Sequence, residues 1–285
     1  MVENDLSFFL YLTTVNYSKS SIKNIKIVIM KIGLLGFGKA GKAVANVILQ
    51  HKDFSLEWVL KKTDMLNKLS AKDILGISAS DDALIYSQSS TDIETLLEDH
   101  PVDFVIDFSN EESIHLYGKV AARKKIKIIS AISHYGENEI KVLKELATDT
   151  VVFWSPNITL GVNYLLFAAS LLKNIAPGVD IEVVEEHFKA KSGVSGTAVK
   201  IAETLDIETE SINSVRAGGI VGKHEVIFGF PYQTVRLVHE SISREAFGSG
   251  ALFVAENLKS KLKGLYNFED ILRPYFFAQT PDMLS

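Results

Sequence analysis

Residues 187–197 carry a proton donor, an ammonium group and a turn of small side chains, the equipment needed to hold and protonate a small anion. His187 and Lys191 are four positions apart, so they share a face whether the chain stays extended or makes one helical turn. Ser195, Gly196 and Thr197 precede a helical pattern, and the free N–H groups at a helix start bind carboxylates or phosphates. The sequence predicts an acid beside an anion-binding turn, although a solvated histidine and an ordinary helix N-cap fit the same residues.

A strand must position this group. Residues 179–185 alternate and are rich in β-branched side chains, which predicts a strand running into His187. Further strands are predicted over residues 211–216, 225–230 and 234–239, the last two as an antiparallel hairpin. Together they predict a second α+β domain built on a mixed sheet, over residues 159–247.

A glycine motif near Met30 predicts a dinucleotide site. An apolar strand pattern over residues 31–35 runs into G-x-G-x-x-G, and a helical pattern follows over residues 42–50. In this setting the glycines permit a tight turn, close approach of a pyrophosphate and close packing of the helix, so a dinucleotide is favoured over a purely structural turn. The predicted contact residues are Gly36, Gly38, Lys39, Ala40 and Gly41.

The end of the second predicted strand, residues 55–60, bears on the choice of cofactor. An acidic residue at this point would bind the ribose 2′-hydroxyl of NAD, whereas this chain has Lys61 and Lys62. Two ammonium groups suit the 2′-phosphate of NADP, so the sequence predicts NADPH as preferred cofactor over NADH. A solvated lysine pair is the alternative reading.

Strand and helix patterns alternate in the first half of the chain. Predicted strands over residues 102–109, 127–131 and 150–154, with a helix over 111–124, indicate a Rossmann-type doubly wound parallel sheet through about residue 158. Residues 63–100 show only a helical pattern over 91–99. A helix over 249–263 and the tail beyond it are expected to return to this domain, which gives a dinucleotide-binding domain of residues 30–158 completed by 248–285. Residues 1–29 are expected to be an extension, with Met30 as the natural start.

Composition excludes several functions. The 285 residues are 47% hydrophobic and 23% charged, which is typical of a globular protein. A net charge of −5 argues against a nucleic-acid partner. The sequence contains no run of about 18 apolar residues, so no membrane span is predicted. The absence of cysteine excludes disulfides and thiolate chemistry and fits a cytoplasmic location.

Several motifs follow one another in a family-specific order. They are residues 36–41, Ile106-Asp107-Phe108-Ser109, Asn157 with Gly161-Val162-Asn163, Glu186-His187 with Lys191, Ser195-Gly196-Thr197-Ala198, Ser214-Val215-Arg216-Ala217-Gly218 with Ile220-Val221-Gly222 and His224, and His239 with Ser243-Arg244 and Phe247. On these motifs the chain, from Met30 to about Phe276, resembles the 4-hydroxy-tetrahydrodipicolinate reductases, also called dihydrodipicolinate reductases, of bacterial lysine and diaminopimelate biosynthesis.

The resemblance implies reduction of an unsaturated cyclic dicarboxylate by hydride from NADPH or NADH, without a metal. It implies that His187 is the general acid, that Lys191 supports it, and that residues 195–197 hold a substrate carboxylate. It also implies a homotetramer formed through the sheet of the second domain. The further cofactor contacts that it implies are Phe108, Ser130, Ile132, Ser155, Asn157, Ile158, Arg244 and Phe247.

Two other functions stay open. The family has a second histidine where this chain has Phe188, and the loop before Ser195 is one residue shorter than in the family. Phe188 favours a related dehydrogenase acting on another imine or on a diamino acid, whereas the retained Lys191 and residues 195–197 weigh against it. The other alternative is a sensor that binds NADP without turnover, and the pairing of His187 with Lys191 weighs against it.

Overall fold

The computed structural model describes residues 29–277, which fold around two β-sheets. The predicted N-terminal extension lies outside the described residues, apart from residue 29, and so do residues 278–285. Among residues 29–277, no helix has the length and apolar composition needed to cross a membrane. Within the same range no group of three or more histidine, aspartate or glutamate side chains is placed to hold a metal ion.

The larger sheet carries the predicted dinucleotide motif. Its strands are β1 (Met30–Leu35), β2 (Phe54–Lys61), β3 (Leu84–Ser87), β4 (Phe104–Asp107), β5 (Lys127–Ser130), β6 (Val151–Trp154) and β11 (Gly264–Tyr266). Their order is β11-β6-β5-β4-β1-β2-β3, and every pairing is parallel. The order reverses beside β1, so the carboxyl ends of β1 and β4 open a crevice of the kind that binds nucleotides.

Helices cover both faces of this sheet, as doubly wound folds require. They are α1 (Lys39–Leu49), α2 (Ala71–Leu75), α3 (Ile93–Asp99), α4 (Ser113–Arg123), α5 (Glu137–Leu146), α8 (Glu245–Leu258) and α9 (Phe268–Phe277). Two apolar cores result, one beneath α1 and α8 and the other beneath α3, α4 and α5. The strands β3 and β11 and the helices α2, α5 and α9 were not predicted from the sequence. Helix α8 begins four residues before the predicted helix and ends five residues before it.

The smaller sheet holds the predicted acid. Its strands are β7 (Asp180–His187), β8 (Asn213–Arg216), β9 (Lys223–Phe230) and β10 (Gln233–Glu240), in the order β10-β9-β7-β8. The β7–β8 pair is parallel and the β7–β9 and β9–β10 pairs are antiparallel, so the predicted mixed sheet is confirmed. Helices α6 (Leu160–Ile175) and α7 (Gly196–Leu205) pack their apolar faces on it.

The end of the described chain returns to the larger sheet. Strand β11 pairs with β6 in parallel, and α8 packs against α1 so closely that a Cβ on Gly248 would lie 2.7 Å from the Cβ of Val47. The fold class predicted from the sequence is therefore confirmed. The predicted domain limits, 30–158 completed by 248–285 and 159–247, stay a prediction. The pairing of β11 with β6 supports the return of the chain to the first domain.

Candidate active site

A buried carboxylate holds the predicted acid. Along β7 the alternation turns Glu185 and His187 to the same, buried side of the strand, with 0% and 8% exposure. Glu185 Oε2 accepts a hydrogen bond from Nδ1 of His187, while Oε1 accepts from Ser214 Oγ at 2.6 Å and from the Arg216 guanidinium. Burial alone would raise the pKa of Glu185, but these hydrogen bonds outweigh it and lower the pKa to about 2. Glu185 therefore stays ionised and fixes the imidazole.

The other ring nitrogen of His187 faces a glycine. A Cβ built on Gly222 would lie 3.0 Å from Nε2 of His187, closer than an ordinary contact. Any larger residue at position 222 would therefore crowd Nε2. Because Nδ1 is held by Glu185, Nε2 is the atom left to exchange a proton with a ligand.

Lys191 lies in the loop of residues 188–195 that joins β7 to α7. Its backbone N–H donates to the carbonyl of Phe188 at 3.0 Å, and the side chain is half-buried. Burial lowers the pKa of His224 to about 4, and the charges of His187 and Lys191 act in the same direction. Both predicted catalytic groups are thus close enough to His224 to act on it electrostatically.

The predicted anion-binding turn begins α7, with different roles for its three residues. Ser195 is the N-cap: its Oγ accepts from the N–H of Ala198 at 3.1 Å and lies 2.8 Å from Nε2 of His224, and the residue is 3% exposed. Gly196 is exposed and Thr197 is half-buried. The structure therefore leaves the N-terminal end of α7 open at Gly196 and Thr197, whereas the Ser195 hydroxyl holds the helix start.

Asn157 connects this turn to the larger sheet. It was predicted as a cofactor contact, and its Nδ2 donates to Thr197 Oγ1 at 3.1 Å while its Oδ1 accepts from Thr159 Oγ1 at 2.7 Å. The neighbouring predicted residues Ser155 and Ile158 are both buried, and Ser155 Oγ donates to the Asn157 carbonyl. This segment links the carboxyl end of β6 to the start of α7.

The glycine loop fits a pyrophosphate. Gly36 has a φ of +92°, and a Cβ there would lie 2.6 Å from the carbonyl oxygen of Phe108; one on Gly41 would lie 2.1 Å from the Gly36 oxygen. Those two positions need glycine for the turn itself. Gly38 is the N-cap of α1, and a Cβ there would meet no atom of the described residues within 4 Å. Its backbone is free to approach a phosphate at the helix N-terminus, as dinucleotide sites require.

Basic side chains surround this loop. A cavity of about 590 Å³ beside α1 is lined partly by Lys39, Lys42 and Arg244. At the end of β2, Lys61 is half-buried with its Nζ on Thr63 Oγ1, and Lys62 is exposed. Ala40 lies in the first turn of α1. Positive charge therefore lies at the start of α1 and at the end of β2.

The remaining predicted cofactor residues lie at the carboxyl ends of adjacent strands. Phe108 follows β4 and its ring lies 6.2 Å from that of Phe247 on α8. Ser130 ends β5 with its Oγ 2.8 Å from the hydroxyl of Tyr135, and the carbonyl of Ile132 accepts from Trp154 Nε1 at 2.8 Å. These residues border the crevice beside the glycine loop.

A buried carboxyl at the end of β4 was not predicted. Asp107 is fully buried, and burial raises its pKa to about 6 although Ser109 donates to its Oδ1. Among the described residues, its Oδ2 has no hydrogen-bond partner.

Sequence reasoning also gave no role to Glu185, Arg216 or His224. A signal for Glu185 was available, since a residue two positions before His187 on a strand shares its face. Arg216 and His224 belong to the motifs quoted above, but their contacts cross between strands. Spacing along the chain does not show such contacts.

The matching family models and the curated relatives agree on one family. The family model described as dihydrodipicolinate reductase, N-terminus, matches residues 30–158, and the corresponding C-terminus model matches residues 158–272. The chain is 31% identical over 258 residues to the 4-hydroxy-tetrahydrodipicolinate reductase of Caldanaerobacter subterraneus subsp. tengcongensis, covering 83% of this chain and 95% of that protein. It is 30% identical over 261 residues to the enzyme of the same name from Lawsonia intracellularis, covering 82% and 96%.

The fold is likewise similar to that of a solved relative. Dipicolinate-bound dihydrodipicolinate reductase from Paenisporosarcina sp. TG-14 superposes with a TM-score of 0.71 at 20% identity, covering 84% of this chain and 97% of that one. At this identity the likeness concerns the fold alone.

Proposed function

This chain belongs to the dihydrodipicolinate reductase family, and on that premise we propose that it reduces 4-hydroxy-tetrahydrodipicolinate to tetrahydrodipicolinate with His187 as the general acid. It is an NAD(P)H-dependent oxidoreductase of lysine and diaminopimelate biosynthesis. The observation that carries the acid assignment is the bond from Nδ1 of His187 to the buried carboxylate of Glu185, beside the open start of α7.

The crevice of the larger sheet fits a nicotinamide dinucleotide, which supplies a hydride when bound. Gly36 and Gly41 shape the loop, and the open backbone at Gly38 with the N-terminus of α1 receives the pyrophosphate. Phe108 and Phe247 border the crevice near the carboxyl end of β4. The other predicted contacts, from Ser130 to Arg244, follow neighbouring strand ends or begin α8, and their roles stay part of this proposal.

The substrate carboxylate is held at the start of α7. Gly196 and Thr197 offer backbone N–H groups and a positive helix end, and Lys191 supplies an ammonium group from the adjoining loop. Ser195 contributes by capping the helix, so that the N–H groups keep a fixed direction. A cyclic dicarboxylate bound here would lie next to Nε2 of His187.

His187 then completes the reaction. Loss of the 4-hydroxyl group of the substrate as water gives a conjugated imine. Addition of hydride to this imine would leave negative charge on the ring, which a positioned donor neutralises by protonation. Glu185 accepts from Nδ1, so the proton that is transferred is the one on Nε2, on the side kept clear by Gly222. Lys191 stabilises the developing charge, and the lack of a side chain at position 222 lets the substrate approach Nε2.

We propose NADPH as the preferred hydride donor. Lys61 ends β2 and Lys62 follows it, where the ribose 2′-substituent of a dinucleotide on the glycine loop is located. The ammonium group of Lys61 contacts Thr63 Oγ1, and Lys39 adds charge from the start of α1. A cytoplasmic location and a homotetramer formed through the smaller sheet are further parts of this proposal, supported by the family alone.

The alternative of a different imine or a diamino acid has one observation in its favour. Phe188 occupies the family's second histidine position and is 42% exposed, so it presents an apolar surface where the family has an imidazole.

The first test is a coupled assay in which 4-hydroxy-tetrahydrodipicolinate is formed in place from pyruvate and aspartate semialdehyde, with the absorbance of NADPH and NADH followed separately. Rapid oxidation of NADPH supports the proposal. Intact NADPH binding without oxidation would contradict it and favour another imine or a sensor.

A further inference from the structure

Arg216 joins the two halves of the proposed active site. It ends β8, directly opposite His187 in the parallel β7–β8 register, and its side chain is 18% exposed. On one side, Nη2 donates to Oε1 of Glu185, the carboxylate that holds the imidazole. On the other side, Nε donates to the carbonyl of Lys191 at 3.2 Å and Nη2 donates to that of Gly193 at 2.7 Å.

The loop of residues 188–195 has few other anchors in the described structure. Its backbone bonds include Lys189 N–H to the Gly218 carbonyl at 3.0 Å and the turn from Lys191 to Phe188. Gly193 has a φ of +62°, a conformation that suits glycine and gives the loop a sharp bend. The guanidinium reaches both sides of this bend, because its planar fork presents several N–H groups in fixed directions.

We propose that Arg216 is a positioning residue that sets His187 through Glu185 and, independently, sets Lys191 and the start of α7 through the loop carbonyls. The inference rests on the proposed function, since it assigns Arg216 to the acid and to the carboxylate site described above. An arginine is required because one ammonium group cannot contact a carboxylate and two carbonyls in the directions observed. The two actions of Arg216 should separate in kinetics, the first in kcat and the second in the KM for the dicarboxylate.

The experiment measures two variants of the arginine, Arg216→Met and Arg216→Lys. They are compared with Glu185→Gln, with His187→Gln and with a double variant that combines Glu185→Gln and Arg216→Met. Arg236→Lys is the matched control, since Arg236 lies on β10, pairs with Glu225 and is 56% exposed. For each variant, kcat and the KM for 4-hydroxy-tetrahydrodipicolinate are measured in the coupled assay, with NADPH titration to count folded sites.

We expect Arg216→Met to lower kcat by about 30-fold, because the hydrogen bond to the Glu185 carboxylate is lost. We expect it to raise KM by about 10-fold, because the hydrogen bonds to the loop carbonyls are lost. Glu185→Gln should lower kcat alone, and the double variant should have a kcat about as low as the single variants, because both residues act through one imidazole. Arg216→Lys should recover part of kcat but little of KM. Arg236→Lys should change neither.

Three outcomes would overturn the inference. They are an unchanged KM in both Arg216 variants, losses of kcat that multiply in the double variant, and a loss of folded sites with normal constants per remaining site. If the Met variant does not fold, the Lys variant decides through its KM. Unchanged turnover in His187→Gln would instead refute the proposed function, so the two failures are distinguishable.

Discussion

Replacing Glu185 by glutamine tests how the acid is held. The carboxylate accepts from His187 on one oxygen and from Ser214 and Arg216 on the other, and it is fully buried. A glutamine has one oxygen and one NH2 group, so whichever way it is placed, its NH2 group faces a donor. Either the imidazole or the guanidinium therefore loses its acceptor.

The size of the effect follows from the kind of bond that is lost. A hydrogen bond to a charged group contributes about 1.5 to 3 kcal/mol, and loss of that much transition-state stabilisation slows a reaction about 13- to 160-fold. Glu185→Gln should therefore lower kcat by that factor. NADPH affinity should stay within about 2-fold, since the glycine loop belongs to the other sheet.

The assay is the coupled reaction at saturating NADPH, with thermal unfolding as the check on folding. Glu186→Gln is the matched control, because Glu186 is the next residue of β7, lies on its opposite face and pairs with Lys223 at 2.6 Å. A partly exposed pair of this kind contributes about 0 to 1 kcal/mol, so its turnover should be near that of the unchanged protein. A Glu185→Gln protein that is folded and as active as the control would refute the reasoning.

Other changes test the cofactor site and the larger sheet. Gly41→Ala should destabilise the protein, because its Cβ would lie 2.1 Å from a carbonyl oxygen. Gly38→Ala should keep the melting temperature and weaken NADPH binding, measured by fluorescence. Equal melting temperatures for the two variants would contradict this. Joint replacement of Lys61 and Lys62 by alanine should raise the Kd of NADPH far more than that of NADH, and equal weakening would refute the phosphate assignment. The folded-state pKa of Asp107, about 6, exceeds the unfolded value near 4, so its stabilising contribution is present below about pH 4 and lost as pH rises through 6. Asp107→Asn should remove about 3 kcal/mol of that pH dependence in urea unfolding, and an unchanged pH profile would contradict this.

The sequence was sufficient for the elements whose pattern is local. The glycine motif lies between a buried strand and a helix, and the structure has β1 and α1 there, with α1 starting three residues earlier because Gly38 is its N-cap. The alternation before His187 likewise predicted β7, which continues two residues further than expected. The mixed character of the smaller sheet followed from the hairpin of β9 and β10.

What the sequence did not show depends on contacts between distant residues. β3 is short, with four residues, and it is recognised as a strand through its pairing with β2. The role of Glu185 depends on Arg216, 31 positions away, and the contact of the Ser195 hydroxyl with His224 spans 29 positions. Such pairs are determined by strand order, and spacing along one strand does not reveal them.

The role of His187 as the proton donor is tested most directly by the turnover of His187→Gln in the coupled assay. Glutamine keeps a polar side chain in the position without a group that exchanges a proton near neutral pH. Turnover should fall about 100-fold or more, with NADPH affinity nearly unchanged. Turnover equal to that of the unchanged protein would remove His187 from the mechanism.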